Sequence, residues 1–296
     1  LRAGDRVRMG QRIGVLSAAC IGFFEPDFNK NFLDANIRAL RAEIRKARAL
    51  TSGILGVNVM GALDNFSDMV KTSISEGIDI VFAGAGLPLD LPGYLHKAAK
   101  TKLVPIVSSA RAARLLAQKW MKEFNYTPDA FVVEGPKAGG HLGFKPEQLD
   151  DPAFALERLV AEVLVEAKKA GEAADKKIPV IAGGGVYSGA DIHKLFQAGA
   201  AGVLMATRFV TTVECDASDA FKDLYIQCEK EDIQIIKSPV GMPGRVIRNQ
   251  FVADVEAEKK NPFACPYHCL TTCKGPDSPF CIALALINAQ KGRLSH

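Results

Sequence analysis

The chain has 296 residues, 48% of them hydrophobic, which is ample for one large domain with a full core. Its net charge of +4 comes from mixed charges without a basic block, so nucleic acid is excluded as the default partner. No apolar run reaches the length of a membrane span, the opening LRAGDRVRMGQR lacks a signal-peptide core, and the seven cysteines therefore read as cytoplasmic thiols or metal ligands.

Short β-branched runs recur along the chain, each followed by a helical pattern. Strands are predicted at Ile13–Ser17, Ile54–Val59, Ile78–Ala83, Val104–Val107, Ala130–Glu134, Val180–Ala182 and Gly202–Met205. Amphipathic stretches lie between them at Asn36–Leu50, Ser109–Lys122, Pro152–Ala170 and Gly189–Ala198. This βαβ alternation predicts a parallel sheet with helical cover, and unit spacings of about 25 residues fit an α/β barrel of the (β/α)8 TIM type. Seven strands are one short of closure, so an earlier βα unit is expected in the natural polypeptide, with LRAGDRVRMGQR as a remnant of skipped segments. An open doubly wound sheet also fits the count. Beyond Val210 the pattern is mixed: a helix at Ala217–Glu229, a Pro/Gly-rich segment SPVGMPGRVIRN, then a cysteine-rich tail. The expected division is a barrel over residues 1–249 and an extension packed on it over 250–296.

Two strand ends carry the clearest chemistry. IPVIAGGGV at Ile178–Val186 closes on three glycines, and GVLMATRF at Gly202–Phe209 closes on a small-residue turn. Barrels hold a phosphate after their last two strands in this way, because glycine lets backbone amides approach the anion. This pairing favours the barrel over the open sheet. A second glycine cluster, VVEGPKAGGHLGF at Val132–Phe144, follows the fifth predicted strand. Gly139 and Gly140 allow close approach of a flat ligand, and His141 follows them, a neutral imidazole able to remove a proton from a carbon acid. The alternative for His141 is a loop histidine capping a helix. Asn58 ends the apolar run GILGVNVM, where its amide either turns the chain or pairs with a heteroaromatic edge. The turn AGAGLPLDLP at Ala83–Pro92 either walls a pocket or is a rigid loop.

In order and spacing, GVNVM, AGAGLPLDLP, AGGHLG, IAGGGV, MATRF and VGMPGRVIRN together resemble the nitronate monooxygenase family, formerly 2-nitropropane dioxygenases, which are FMN-dependent TIM-barrel enzymes. The resemblance runs from Ile13 to Asn249. It implies that Asn58 contacts the flavin ring and that Glu134, Gly139 and Gly140 lie along the cofactor. It implies a phosphate cradle of Gly184, Gly185, Leu204, Met205, Ala206 and Thr207. His141 is then the base that takes the nitroalkane proton, or the group that orients the nitronate, and O2 reoxidises the flavin. Three departures stand out. The family usually has glutamine at Glu134, where an ionised carboxylate would disfavour the anionic reduced flavin unless protonated or paired. It usually has glycine at Ala206, a minor change if φ there is negative. Its glycine-rich first strand under the flavin is absent from the sequence.

The tail places Cys265, Cys269, Cys273 and Cys281 at C-x3-C-x3-C-x7-C, a set able to complete an iron–sulfur cluster or a zinc site, with His268 as substitute ligand. The bland reading is four reduced thiols in a compact cap. Cys20, Cys215 and Cys228 read as structural, His193 as solvent-facing, and His96 and His296 carry no signal. The function expected is oxidation of alkyl nitronates with O2, in the cytoplasm, with a homodimer permitted. Within the same fold, flavin-dependent enoyl-acyl-carrier-protein reductases also show a GGH turn and use NAD(P)H, and NAD(P)H:quinone reductases lie close as well. From another class, a flavin-free isomerase or lyase needs only the phosphate cradle.

Overall fold

The computed structural model describes residues 12–260, 264–265 and 267–295. The expectations for the opening segment (residues 1–11) and for His296 lie outside those residues. The chain divides into two compact units, Leu1–Pro105 with Leu116–Asp129, and Ile106–Leu115 with Ala130–His296.

The first unit alternates β1 (Ile13–Ser17), α1 (Phe32–Leu50), β2 (Ile54–Met60), α2 (Phe66–Ser75), β3 (Ile80–Gly84) and the start of β4 (Lys102–Val107). Its parallel order is β1-β2-β3-β4, in a register that pairs Leu16 with Val57, Val57 with Val81 and Val81 with Leu103. Val57, Val59, Val81, Ala83 and Leu103 are fully buried, as strands covered on both faces require. The strand β1 differs. Ile13 and Val15 are each 39% exposed, and among the described residues only β2 pairs with it. Helix α1 buries Ala35, Ala39, Leu40 and Ile44 along one stripe. Helix α2 has no counterpart among the predicted elements. Its run FSDMVKTSIS is rich in Ser and Thr, which compete with the helical backbone, and burial of Met69, Val70 and Ile74 overrides that tendency. The fully buried Trp120 of α3 (Ala110–Phe124) donates from Nε1 to Pro88 O at 3.0 Å.

The second unit carries the end of β4, then β5 (Phe131–Glu134), β6 (Gly140–His141), α4 (Leu156–Ala173), β7 (Val180–Gly183), α5 (Gly189–Gln197) and β8 (Gly202–Leu204). After them come α6 (Thr207–Val210), α7 (Asp219–Gln227), β9 (Ile233–Lys237), β10 (Pro243–Ile247), α8 (Gln250–Glu256) and α9 (Ile282–Gln290). The parallel order is β4-β5-β7-β8, while β6, β10 and β9 form a separate antiparallel sheet. Seven parallel strands alternating with helices place the chain in the α/β, TIM-barrel-like class. The Pro/Gly-rich segment is not a plain loop. It closes a hairpin in which Pro243 opens β10, a position where its missing N–H is tolerated.

Candidate active site

Strands β5, β7 and β8 end at one level, because Glu134 pairs with Gly183 and Gly183 pairs with Leu204. Three turns therefore leave the same end of one sheet: residues 135–139, 184–188 and 205–206. Gly184 and Gly185 have φ of +94° and +83°, a left-handed pair that side chains resist. A Cβ on Gly184 would lie 3.0 Å from Gly135 O and 3.1 Å from Ala138 N; one on Gly185 would lie 2.8 Å from Lys137 Cβ. The glycines thus serve twist and close packing together. Among the described residues, the amides of Gly184, Gly185, Ala206 and Thr207 donate to no other backbone group outside the helices and strands. Ala206 has φ of −131°, outside the left-handed region that favours glycine.

The turn after β5 is held from the other side. β6 pairs with β10, Gly140 opposite Arg245 and His141 opposite Gly244, and Leu142 N donates to Pro243 O at 2.9 Å. Arg245 donates through Nη1 to Pro136 O and Ala138 O, both at 2.7 Å. Gly139 and Gly140 remain exposed, with nothing within 4 Å of a Cβ at either position. His141 Nε2 lies 2.8 Å from the Oγ of the buried Ser238, which also accepts from Val240 N at 3.3 Å. Burial holds the His141 ring below the ordinary histidine pKa. Glu134 has no hydrogen bond or ion pair among the described residues, and burial pushes its carboxyl up to about 7. Neither Ser238 nor Arg245 was singled out by sequence. Both lie in the SPVGMPGRVIRN segment, which the sequence marked by its proline and glycine content and by the motif VGMPGRVIRN, with no role for either side chain.

A cavity of about 470 Å³ borders the same turn, lined in part by Pro136, Lys137, Gly184 and Gly185. Its charged rim is satisfied internally: Lys194 Nζ meets Glu157 at 2.6 Å, and Asp191 accepts from Ser188 N and Oγ at 2.7 Å. Leu204, Met205, Ala206 and Thr207 do not line it.

Asn58 belongs to the first unit. It does not end its strand, as the sequence suggested, because β2 runs on to Met60, and its carboxamide makes no hydrogen bond among the described residues. The AGAGLPLDLP turn is rigidly held through Pro88 by the Trp120 bond. His193 is exposed, as expected.

The metal site expected in the tail is not supported. Among the described residues no group of three or more His, Cys, Asp or Glu side chains is placed to hold an ion. Cys273 Sγ instead meets Ser278 Oγ at 3.2 Å, and Cys281 is drawn under the start of α9, where burial pushes its thiol up. Nor is any of the seven cysteines in a disulfide.

A family model described as nitronate monooxygenase matches residues 13–294. Over 218 residues the chain is 30% identical to a Mycobacterium tuberculosis (3aS,4S,5R,7aS)-5-hydroxy-7a-methyl-1-oxo-octahydro-1H-indene-4-carboxyl-CoA dehydrogenase, covering 74% of this chain and 55% of that protein. It thus spans little more than half the length of that relative. It is 27% identical over 258 residues to a probable nitronate monooxygenase of Staphylococcus aureus, covering 74% of this chain and 68% of the other. In structure it is similar to FabK from Thermotoga maritima, with a TM-score of 0.63 and 26% identity across 86% of this chain and 79% of FabK.

Proposed function

Because this chain belongs to the nitronate monooxygenase family, we propose that it is an FMN-dependent oxidoreductase that oxidises alkyl nitronates with O2. The observation that carries this reading is the left-handed pair Gly184–Gly185 on the strand in register with Leu204, beside the His141 turn. The residues present fit FMN: amides without backbone partners at Gly184, Gly185, Ala206 and Thr207 suit a phosphate, and open space over Gly139 and Gly140 suits a flat ring. Leu204 and Met205 complete the cradle; Asn58, on the first unit, carries a carboxamide whose donor and acceptor suit a heteroaromatic ring edge. When bound, FMN supplies the electron acceptor that the side chains lack and passes the electrons to O2. Glu134 lies along the cofactor, and His141 meets the reacting end of the substrate.

A second reading has its own support in the 30% identity to a dehydrogenase of a CoA compound. It makes this chain a flavin-dependent reductase or dehydrogenase acting on an acyl thioester, as in the enoyl-acyl-carrier-protein reductase alternative, with the quinone reductases beside it. One experiment separates the readings. Purified protein is mixed anaerobically with propyl-2-nitronate, and separately with NADH, while flavin absorbance is followed. Bleaching by the nitronate and not by NADH is expected; bleaching by NADH alone transfers the assignment to the reductases. A colourless protein that takes up no FMN overturns both, leaving a phosphate-binding isomerase or lyase. Residues 1–249 form the catalytic barrel in this reading, with 250–296 as an extension on it. A cytoplasmic homodimer accords with it, and among the described residues no helix is long and apolar enough to cross a membrane.

A further inference from the structure

The contacts of Ser238 constrain which nitrogen of His141 carries a proton. Ser238 is 4% exposed, so solvent offers its hydroxyl little alternative. A hydroxyl has one proton and two acceptor lone pairs. Val240 N–H is a donor only, and its 3.3 Å contact uses a lone pair of Ser238 Oγ. The proton of that hydroxyl then has one acceptor among the described residues, His141 Nε2 at 2.8 Å. An Nε2 that accepts is unprotonated, so in the neutral ring the proton resides on Nδ1. Nδ1 makes no hydrogen bond among the described residues. Since no buried side-chain nitrogen or oxygen there lacks a partner, Nδ1 must be accessible.

The geometry points to Ser238 as a positioning residue that locks His141 in its Nδ1–H tautomer, so that the ring offers an N–H donor rather than a base to an anionic substrate oxygen. This deepens the proposed function and rests on its placing of His141 at the substrate. Burial disfavours the charged ring, in line with an Nε2 that accepts from Ser238. A nitronate oxygen, or the enolate oxygen of a thioester, is the group so recognised. The carbon proton of a neutral nitroalkane is not removed by His141, and the substrate arrives already ionised. A nitronate brings its charge with it, so Nδ1–H binds and orients that oxygen; on the thioester reading the same bond strengthens as negative charge gathers on the enolate oxygen.

The ring can be read directly, without flavin or turnover. In protein carrying 15N-labelled histidine, with the His141 signals assigned by their loss in His141→Gln, wild type at neutral pH is expected to show Nδ1 protonated and Nε2 as an acceptor. Ser238→Ala is expected to give a mixture of tautomers, and Ser238→Cys, a weaker donor, an intermediate result. A wild-type ring protonated at Nε2 overturns the proposal, as does a Ser238→Ala ring still locked at Nδ1–H. In the flavin-loaded enzyme, kcat/KM for a neutral nitroalkane is expected to fall at least about 100-fold below that for its nitronate. His141→Asn, which keeps an N–H near the Nδ1 position, is expected to retain nitronate turnover within about tenfold, whereas His141→Ala loses about 100-fold or more. Equal kcat/KM for the nitroalkane and its nitronate restores the base and rejects the donor. If no flavin binds, the proposed function fails, and the tautomer measurement still decides this inference.

Discussion

Glu134 shows how one side chain can be legible in sequence while its state is not. Its departure from the usual glutamine signalled a carboxylate that had to be protonated or paired. In the structure no partner is present among the described residues, and burial alone raises its pKa from 4.5 to about 7. The folded protein therefore holds a proton between those pH values that the unfolded chain has already released. Stability from this group is fully present below pH 4.5 and is lost as pH rises through 7, by at most about 3 kcal/mol. Glu134→Gln should accordingly melt higher than wild type at pH 8, with the gap closing towards pH 5. A difference in Tm that stays constant over this range would refute the burial account. Where Glu134 is proposed to lie along the flavin, a carboxyl neutral below about pH 7 would set no negative charge against the ring. Ala206 is a simpler case, since its negative φ makes the loss of glycine inconsequential.

At the scale of elements, the β9–β10 hairpin organises the site by gripping the turn that carries His141. Arg245 is central, because one nitrogen binds two carbonyls of that turn, Pro136 O and Ala138 O. Arg245→Met keeps much of the length but leaves both carbonyls unpaired. A loss of about 2–4 kcal/mol is expected, from two hydrogen bonds to a charged donor. Hydrogen exchange at Gly140, His141 and Leu142 is expected to accelerate, and Arg245→Lys, with its charge but no planar fork, should fall between. Unchanged exchange at those three amides would show that the hairpin does not hold the turn. Local pattern could not have exposed this element. β6 is two residues long, and its partner β10 lies about 100 residues away and opens on proline. Such pairing depends on context rather than intrinsic preference.

Across the whole molecule, the residues proposed to hold the phosphate and meet the substrate belong to the second compact unit, and Asn58 to the first. Binding of FMN should therefore stabilise chiefly that second unit. At an FMN concentration 100 times Kd the gain is about 2.7 kcal/mol by mass action, visible as a rise in Tm. Protection from exchange is expected at residues 184–186, 205–208 and 137–141, with lesser change elsewhere. Protection confined to other segments would mean that the glycine turns are not the cradle. The cysteine tail also belongs to the second unit; among the described residues Cys273 meets Ser278 and no group of three is placed to hold an ion.

Strand–helix alternation was readable before any coordinates, and Ile13–Ser17 was predicted to the residue, because periodicity and glycine punctuation are properties of short segments. The paired turns at Gly184 and Ala206 were readable for the same reason: positive φ selects glycine, and a strand end announces itself locally. Packing alone decided the rest. It brought Ser238 to His141 across 97 residues, left Glu134 half-buried without a countercharge among the described residues, and there gathered no three cysteines around an ion. Hydrogen-bond partners and dielectric surroundings come from segments remote in the chain, and no local pattern records which of them will meet.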